Sequence, residues 1–354
     1  MERDLLSYTY EELEELLLNI GEPKYRCSQI FSQLHRGLLP SEMSNISKAT
    51  AEKIAAAAPV FFPQIEQKLV SAVDGTVKYL FRLSDGNCIE TVLMKYAHGN
   101  TVCVSSQVGC RMGCRFCAST IGGKIRDLSS GEILAQVIAV QKDSGERVDN
   151  IVMMGIGEPM DNYDNTLRFL RTVNDPHGLC IGYRHISVSS CGHVEGIRRL
   201  AGEDIPVTLS LSLHAHDDKT RSGIMPVNNR WPIAEVMDAC YDYYRRSGRR
   251  LSFEYTLIDG KNCSVNDAAA LAHLLNRSLR RDGDSFPIHV NIIPVNEVKE
   301  TGLRPPSRDD IRKFCAELEK RGIRATVRRT LGPDINASCG QLRRKAAQEK
   351  EQEI

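Results

Sequence analysis

Three cysteines lie close together in the run from Gly109 to Cys117, with the spacing C-x3-C-x2-C. Thiolates are soft ligands that bind zinc and iron–sulfur clusters alike. A structural zinc site closes four ligands, usually as two separated pairs, and no second C-x2-C or H-x3-H pair follows Cys117. A 4Fe–4S cluster normally takes four cysteines, so three would leave one iron open to a substrate. The spacing favours such a cluster; the alternative is a loop of buried or zinc-binding cysteines.

Further motifs make a family resemblance specific. The cysteine spacing, with Phe116 just before the last cysteine, resembles the signature of radical S-adenosylmethionine (SAM) enzymes. Four other segments are similar to those of the RlmN family, and the resemblance runs from about Glu12 to Leu342. These segments are Cys103-Val-Ser-Ser-Gln-Val-Gly-Cys110, Met153-Met-Gly-Ile-Gly-Glu-Pro159, Ser212-Leu-His-Ala215 and Cys339-Gly-Gln-Leu342.

The resemblance implies an RNA methyltransferase. Enzymes of the RlmN family methylate C2 of adenine 2503 in 23S rRNA, at the peptidyl transferase centre, and of adenine 37 in tRNA. The implied cofactors are one 4Fe–4S cluster and SAM, and the implied partners are both RNAs and an electron donor such as flavodoxin or ferredoxin. Adenine C2 is an electrophilic aromatic carbon, so a polar methyl transfer is ruled out and a cofactor must carry the hard chemistry.

The same resemblance assigns the cofactor site residue by residue. Cys110, Cys114 and Cys117 would bind the cluster. The run that contains Gly157 and Glu158 would contact the methionine amino group of SAM, and a carboxylate suits an ammonium group. The remaining SAM contacts would be Ser189, Ser212, Leu213, His214 and Asn296. Taken singly, Ser189 and Ser212 are ordinary strand-end residues, and His214 is typical of a partly buried histidine with its hydrogen bonds satisfied.

Three residues would carry the methyl transfer. The equivalent of Cys339 is methylated by one SAM, and a radical made from another SAM takes a hydrogen from that methyl group before the carbon adds to adenine. Glu90 would act as the general base, and Cys103 would attack Cys339 to form a transient disulfide that releases the product. On sequence alone, Glu90 is typical of a solvent-facing strand residue, and a lone late cysteine such as Cys339 is usually incidental.

The composition of the chain bears on its cellular compartment and says little about its function. The chain has 354 residues, of which 42% are hydrophobic, and its formal net charge is +1 with a pI of about 7.5. Local Arg and Lys clusters could form an RNA-binding face, although such clusters are more often solvated surface. Twelve cysteines are diluted over a long chain, and we expect them to be reduced in a cytoplasmic protein without a signal sequence or a membrane span.

The hydrophobic pattern predicts an α/β protein. We expect an N-terminal helical accessory domain (residues 1–63), a β extension (64–95), an α/β core (96–332) and a C-terminal loop with Cys339 and a charged tail (333–354). The family resemblance implies that the first domain binds RNA and that the core is a radical SAM domain. Alternating strands and helices in the core predict a partial TIM-like (β/α)6 barrel. The predicted core strands are 102–106, 150–154, 185–189, 207–213, 251–257, 288–293 and 323–328, and the helices are 131–142, 165–173, 194–201, 233–246, 267–281 and 308–321.

Strand ends bring the candidate residues together. In a βα barrel the carboxyl ends of the strands meet at one face, where active sites form. The cysteine loop follows the first predicted strand and Glu158 the second, while Ser189, Ser212, Asn296 and Cys339 follow or end later ones. We therefore expect residues from distant parts of the sequence to share one site.

Two other functions remain open. A relative of this family methylates C8 of the same ribosomal adenine; Pro159 favours the C2 enzymes, since alanine is common there in the C8 group. A protein that binds RNA around a structural metal site, without catalysis, is the second alternative. Asn336, Ser338, Cys191 and the segment 297–307 depart from the expected family pattern and bear on substrate preference.

Overall fold

The computed structural model of the chain describes residues 3–281, 286–296, 302–329, 331–335 and 337. Its α-helices are α1 (Tyr10–Asn19), α2 (Arg26–Leu34), α3 (Lys48–Ala57), α4 (Ser130–Ser144), α5 (Tyr163–Asn174), α6 (Val194–Ala201), α7 (Asp218–Ile224), α8 (Ile233–Ser247), α9 (Val265–Leu279) and α10 (Arg308–Lys320). Its strands are β1 (Gln64–Val70), β2 (Val77–Arg82), β3 (Cys88–Tyr96), β4 (Gly99–Cys103), β5 (Gln107–Gly109), β6 (Lys124–Asp127), β7 (Asn150–Met153), β8 (Ile186–Ser190), β9 (Thr208–Ser212), β10 (Leu251–Leu257), β11 (His289–Pro294) and β12 (Arg324–Val327). No helix in this described part is long and apolar enough to cross a membrane.

The N-terminal helices α1 to α3 form the predicted helical region. Helix α1 begins with a capping box, in which Thr9 accepts from the Glu12 amide and the Glu12 carboxylate accepts from the Thr9 amide. Such reciprocal bonds satisfy backbone donors that a helix start leaves free. The region packs on the rest of the protein near α4, where the Gly131 amide donates to the Ser7 hydroxyl at 2.9 Å.

A ten-stranded sheet organises the remainder, in the order β1-β2-β3-β4-β7-β8-β9-β10-β11-β12. Strands β1 to β4 pair antiparallel. From β4 to β12 every neighbouring pair is parallel, as βα units require. The predicted partial barrel is confirmed: within the described residues β1 and β12 are edges and the sheet does not close. The seven predicted core strands correspond to β4 and to β7 through β12, so the last one, predicted at 323–328 and found as β12, makes one parallel strand more than a (β/α)6 barrel has.

Two short features were not predicted from the sequence. Strands β5 and β6 form a separate two-stranded sheet, and α7 has only seven residues. Both are too short to show a clear hydrophobic period. The small sheet matters for the site, because the three cysteines lie in the loop that connects β5 to β6.

The first parallel strand ends earlier than predicted. Strand β4 stops at Cys103, whereas we expected it to reach position 106. Beyond it the Ser105 hydroxyl donates to the Glu90 carbonyl at 2.6 Å and accepts from the Ile156 amide at 2.9 Å. They add to the last backbone bonds between these segments, such as that from the Val104 amide to the Val152 carbonyl at 3.0 Å. The chain then continues to the carboxyl ends of the parallel strands, where the candidate site lies.

Candidate active site

A cavity of about 300 Å³ lies at the carboxyl ends of the parallel strands. Leu213, Glu90 and Cys103 are not part of its wall, and Cys339 lies outside the described residues. Most of the predicted site residues do line it, although they come from distant parts of the sequence. These are Cys110, Cys114, Cys117, Gly157, Glu158, Ser189, Ser212, His214 and Asn296.

The cysteine loop is held in a tight fold. The Cys117 amide donates to the Cys114 carbonyl at 3.1 Å, and the Thr120 hydroxyl also contacts this carbonyl at 3.2 Å. Gly113 has a positive φ of 74°, which glycine adopts without a steric penalty. The Arg115 amide donates across to the Ile224 carbonyl at 2.9 Å. The loop is therefore fixed both by its own turns and by the end of α7.

Two of the three thiols, those of Cys110 and Cys114, lie in surroundings that oppose their ionisation. Burial raises the pKa of Cys110 to about 12. Burial also raises the pKa of Cys114, and negative charge on Cys117 and Cys110 raises it further. Three thiolates on this loop therefore need a cationic partner, and a bound metal centre deprotonates its thiol ligands.

This donor set fits an iron–sulfur cluster better than a single zinc ion. Among the described residues, no three His, Cys, Asp or Glu side chains are close enough to surround one metal ion. A cluster has no such requirement, because each thiolate binds a different iron. The three cysteines, facing one cavity, can supply three ligands and leave the remaining iron accessible from that cavity.

Glu158 is a buried carboxylate held by backbone donors. Its Oε2 accepts from the Cys191 amide at 2.7 Å and its Oε1 from the Met160 amide at 3.1 Å. Burial raises the pKa of Glu158 above its ordinary value. Each oxygen keeps a second acceptor site, so the carboxylate can bind an ammonium group in the cavity, which would restore the charge balance.

The glycines before Glu158 serve a purpose that the sequence did not indicate. Gly155 and Gly157 belong to the run that the family resemblance assigns to SAM. A Cβ on Gly157 would lie 2.5 Å from the Gln107 side chain, and one on Gly155 would lie 2.7 Å from Ser105. Both glycines thus allow two segments of the chain itself to pack closely, and Gly157 also lines the cavity.

His214 is fully buried and neutral. Burial lowers the pKa of this imidazole to about 3. Its Nδ1 accepts from the Thr256 amide at 2.9 Å, so a neutral ring carries its proton on Nε2. The residue has a positive φ of 58°, and its carbonyl accepts from the Asn262 side chain at 2.8 Å. His214 is therefore a fixed hydrogen-bond donor in the wall, with Phe116 packed edge-on against its ring.

Leu213 is oriented differently from its neighbours. Side chains alternate across a strand, and this leucine is completely buried between Ser212 and His214, which do line the cavity. Its amide donates to the Glu254 carbonyl at 3.1 Å. A contact between Leu213 and a bound cofactor would therefore involve its backbone.

Glu90 is not the solvent-facing residue that its strand pattern indicates. It is 4% exposed, and Lys78, which is completely buried, places its Nζ 3.5 Å from Oε1 of Glu90. A buried carboxylate needs such a partner, and the solvent-facing interpretation is wrong.

Glu90 and Cys103 belong to the face of the sheet that continues into the cavity wall. Val92 lines the cavity, and Glu90, two residues earlier in β3, shares its face. Cys103 lies directly opposite Val92 in the antiparallel pair β3–β4. The proposed base and the proposed resolving thiol are therefore on one face, next to the cavity.

Cys339, Asn336 and Ser338 lie outside the described residues, but the segment before them reaches the site. Ala337 and Leu331 line the cavity. Asp334 anchors the segment, since its carboxylate accepts from the Ser71 hydroxyl at 2.6 Å and from the Ala72 amide at 2.8 Å.

Sequence reasoning missed two buried polar residues at the site. Glu254 lines the cavity from β10; it accepts from Asn291 at 2.7 Å, and burial raises its pKa. Its signal was a single charged residue within an otherwise uncharged strand. Arg221 on α7 is completely buried and hydrogen-bonds to carbonyls at the strand ends. No sequence pattern marks Arg221, because backbone carbonyls carry no side-chain signal.

Comparisons with known proteins find relatives that match nearly the whole chain. Residues 104–272 match the family model of the Radical SAM superfamily, and residues 3–60 match that of the ribosomal RNA large subunit methyltransferase N-terminal domain. A protein of Alkaliphilus metalliredigens described as a probable dual-specificity RNA methyltransferase RlmN is 47% identical over 98% of this chain and 97% of its own length. A protein of Lachnoclostridium phytofermentans with the same description is 50% identical over 96% of this chain and 94% of its own length. The crystal structure of a radical SAM methyltransferase from Sphaerobacter thermophilus has a TM-score of 0.89 at 42% identity, over 96% of this chain and 98% of that one.

Proposed function

Because the chain belongs to the RlmN family of radical SAM methyltransferases, we propose that it methylates C2 of adenine in 23S rRNA and in tRNA. The target bases are adenine 2503 and adenine 37, respectively. One observation carries the proposal: a single cavity is lined by the three cysteines, by Glu158 and by Ala337, two residues before Cys339. A cluster site, a SAM site and a methyl-carrying thiol are the three parts that this reaction needs.

The cofactors are a 4Fe–4S cluster and SAM. Cys110, Cys114 and Cys117 hold the cluster, and Glu158 accepts hydrogen bonds from the SAM ammonium group. When bound, these cofactors supply the methyl group and the radical that activates it. The other SAM contacts are the glycine, strand-end and loop residues Gly157, Ser189, Ser212, Leu213, His214 and Asn296.

His214 and Glu158 have complementary roles in binding. The imidazole presents a fixed N–H donor, because its other nitrogen is used by the Thr256 amide. The carboxylate presents acceptors, because both of its oxygens are oriented by backbone amides. Preorganised groups of this kind lose little freedom when a ligand binds.

The methyl transfer uses three side chains of the chain itself. Cys339 carries the methyl group on its sulfur until the carbon has bonded to adenine C2. The radical adduct would return one electron to the cluster, and Glu90 accepts the proton from C2; its contact with Lys78 holds the carboxylate in place. The Cys103 thiolate attacks the Cys339 sulfur and forms a disulfide. The transferred carbon leaves that sulfur with the bonding electron pair and takes up a proton, which completes the methyl group. An external dithiol must reduce this disulfide before the next cycle.

The proposal divides the chain by task. Residues 1–63 form an RNA-binding module, 64–95 a β extension, 96–332 the radical SAM core and 333–354 the loop with Cys339 and the charged tail. The N-terminal family match supports the first boundary. A one-electron donor such as flavodoxin or ferredoxin serves the cluster, and the RNA substrates imply work in the cytoplasm.

Nucleoside mass spectrometry tests the proposal. Ribosomal RNA and tRNA would be compared from a host that lacks its own enzyme, with and without this gene. The proposal expects 2-methyladenosine in both pools only when the gene is present. The 8-methyl isomer would move the protein to the C8 group. If neither methyladenosine is detected, the assignment is overturned.

A further inference from the structure

Arg221 uses every hydrogen-bond donor of its guanidinium group inside the protein. The side chain is completely buried. Nε donates to the Leu213 carbonyl at 3.0 Å, and Nη1 donates to Asn228 Oδ1 at 2.9 Å and to the Trp231 carbonyl at 3.4 Å. Nη2 donates to the carbonyls of Cys191 and Ser212, at 2.6 and 3.2 Å. Five N–H groups therefore meet five acceptors.

All five acceptors are neutral. Within the part of the chain that the structure describes, no carboxylate oxygen lies within 4.0 Å of the Arg221 guanidinium; the Asp218 carboxylate acts on it from farther away. Burial accordingly lowers the pKa of Arg221. A buried charge is normally paired or close to a metal centre, so the positive charge of Arg221 lacks the partner that such a position requires.

Arg221 lies next to the cavity wall, because its Nη2 donates to the carbonyl of Cys191, a residue that lines the cavity, at 2.6 Å. The thiols of Cys191 and Cys114 and the Asp218 carboxylate are among the groups that act on its charge. The loop and the Arg221 segment are also joined directly: the Arg115 amide donates to the Ile224 carbonyl at 2.9 Å. Arg221 therefore lies behind the cavity wall, fixed relative to the cysteine loop.

We propose that Arg221 is the buried counter-charge of the cluster and makes its one-electron reduction more favourable. The inference rests on the proposed cluster ligands Cys110, Cys114 and Cys117. The three thiolate ligands are negative in total, and reduction transfers one electron from an external donor, which is thereby oxidised, and adds one more negative charge. A fixed positive charge in a low-dielectric interior stabilises the more negative state. Charge and hydrogen bonds are the means by which proteins tune such potentials.

A purely structural role makes a different prediction. Arg221 also holds the carbonyls of Ser212 and Leu213, so its loss could alter SAM binding through geometry alone. If Arg221 acts only by holding these carbonyls, its loss would change the affinity for SAM and leave the midpoint potential of the cluster in the SAM-free protein unchanged. The midpoint potential therefore separates the two roles.

The experiment is an EPR-monitored redox titration of the reconstituted full-length protein without SAM, with dithionite as the reductant. Arg221→Gln removes the charge and keeps hydrogen-bonding capacity, while Arg221→Lys keeps the charge. The matched control is Arg230→Gln, because Arg230 is a nearby cation whose side chain is 66% exposed, and solvent screens such a charge.

We expect Arg221→Gln to shift the reduction equilibrium at least tenfold toward the oxidised cluster, which is 59 mV for a one-electron couple. Arg221→Lys and Arg230→Gln should stay close to wild type. A fully loaded Arg221→Gln protein with the wild-type potential would overturn the inference. Failure of the wild-type protein to bind a cluster would instead refute the proposed function.

A second variant decides the matter where Arg221→Gln does not load its cluster. The double variant Asp218→Asn/Asn228→Asp exchanges the amide and the carboxylate of a hydrogen-bonded pair, since the Asn228 amide donates to Asp218 Oδ1 at 2.9 Å and its Oδ1 accepts from Nη1 of Arg221 at 2.9 Å. The exchange puts a carboxylate against the guanidinium without changing the net charge of the chain, so the potential should shift in the same direction as in Arg221→Gln. An unchanged potential in this loaded variant would contradict the inference.

Discussion

Two sides of the site hold their buried polar groups in different ways. On the binding side, which consists of Glu158, His214 and Arg221, each group is fixed by backbone amides or carbonyls. On the transfer side, which consists of Lys78, Glu90 and Cys103, the groups project from adjacent antiparallel strands. There Lys78 and Glu90 meet side chain to side chain, at 3.5 Å.

The difference indicates a division of labour. Backbone partners cannot ionise and move little, so the binding side presents a fixed pattern of charge to a cofactor. Side chains that face one another can exchange protons and bonds. We therefore expect changes on the transfer side to reduce turnover and changes on the binding side to alter affinity or potential.

The largest effect should follow Cys103→Ala. Without this thiol the bond between Cys339 and the transferred carbon is not broken, so methylated RNA should fall by about a thousandfold or more under multiple turnover. RNA should remain covalently attached to the protein, which a denaturing gel detects. Cys88→Ala, a thiol of the neighbouring strand β3, is the control and should be near wild type. Normal turnover in Cys103→Ala would remove Cys103 from the transfer side.

Glu90→Gln should come next. The amide keeps the shape of the side chain but cannot accept a proton, and general bases contribute about a hundredfold or more to rates. The single-turnover rate of product release should fall, while the dissociation constant of SAM stays unchanged. Glu66→Gln changes a carboxylate that pairs with Arg82 on a neighbouring strand and should leave the rate intact. A loss of SAM affinity with a normal rate would break the proposed division.

Glu158→Gln should show the opposite behaviour. Losing a charged hydrogen bond to the SAM ammonium group costs about 1.5–3 kcal/mol, or about tenfold to a hundredfold in affinity. Equilibrium binding of SAM to the reconstituted protein measures this change, and turnover at saturating SAM should be much less affected. Glu195→Gln, with a side chain that is 56% exposed, should bind SAM as wild type does. Unchanged affinity in Glu158→Gln would remove this residue from the binding side.

The smallest effect on activity should come from changing Asp4, a buried carboxyl that belongs neither to the binding side nor to the transfer side. Burial raises the pKa of Asp4 from 3.8 to about 7, and its Oδ2 has no hydrogen-bond partner. The folded state thus favours the neutral form. The stability that this form provides is complete below pH 3.8 and is lost as the pH rises through about 7, a change of about 2–4 kcal/mol.

Asp4→Asn should therefore remove part of the pH dependence of stability. Thermal unfolding between pH 5 and pH 8 should show a smaller loss in this variant than in wild type, with methylation unchanged. Asp164→Asn, at a side chain that is 85% exposed, is the control and should unfold as wild type does across the same range. An identical pH dependence in Asp4→Asn and wild type would contradict the burial argument.

The repeated strand–helix units and the site residues of distinctive type could be predicted from the sequence. The alternation of strands and helices gave the partial barrel, and strand ends correctly brought Cys110, Glu158 and His214 to one cavity. The sequence did not predict the burial of Glu90, because the Lys78 partner stands on another strand and alternation alone does not tell which face is covered. Arg221 was missed because its partners are backbone groups far away in the sequence, and Gly155 because its close neighbour is Ser105 of another loop.

The most direct test follows a methyl group through the reaction. The reconstituted protein would be given SAM with an isotopically labelled methyl group, then RNA and a reductant, and both protein and RNA would be analysed by mass spectrometry. The account predicts label first on the peptide that contains Cys339 and then at C2 of adenine. Labelled 2-methyladenosine without any label passing through Cys339, or no labelled adenosine at all, would contradict it.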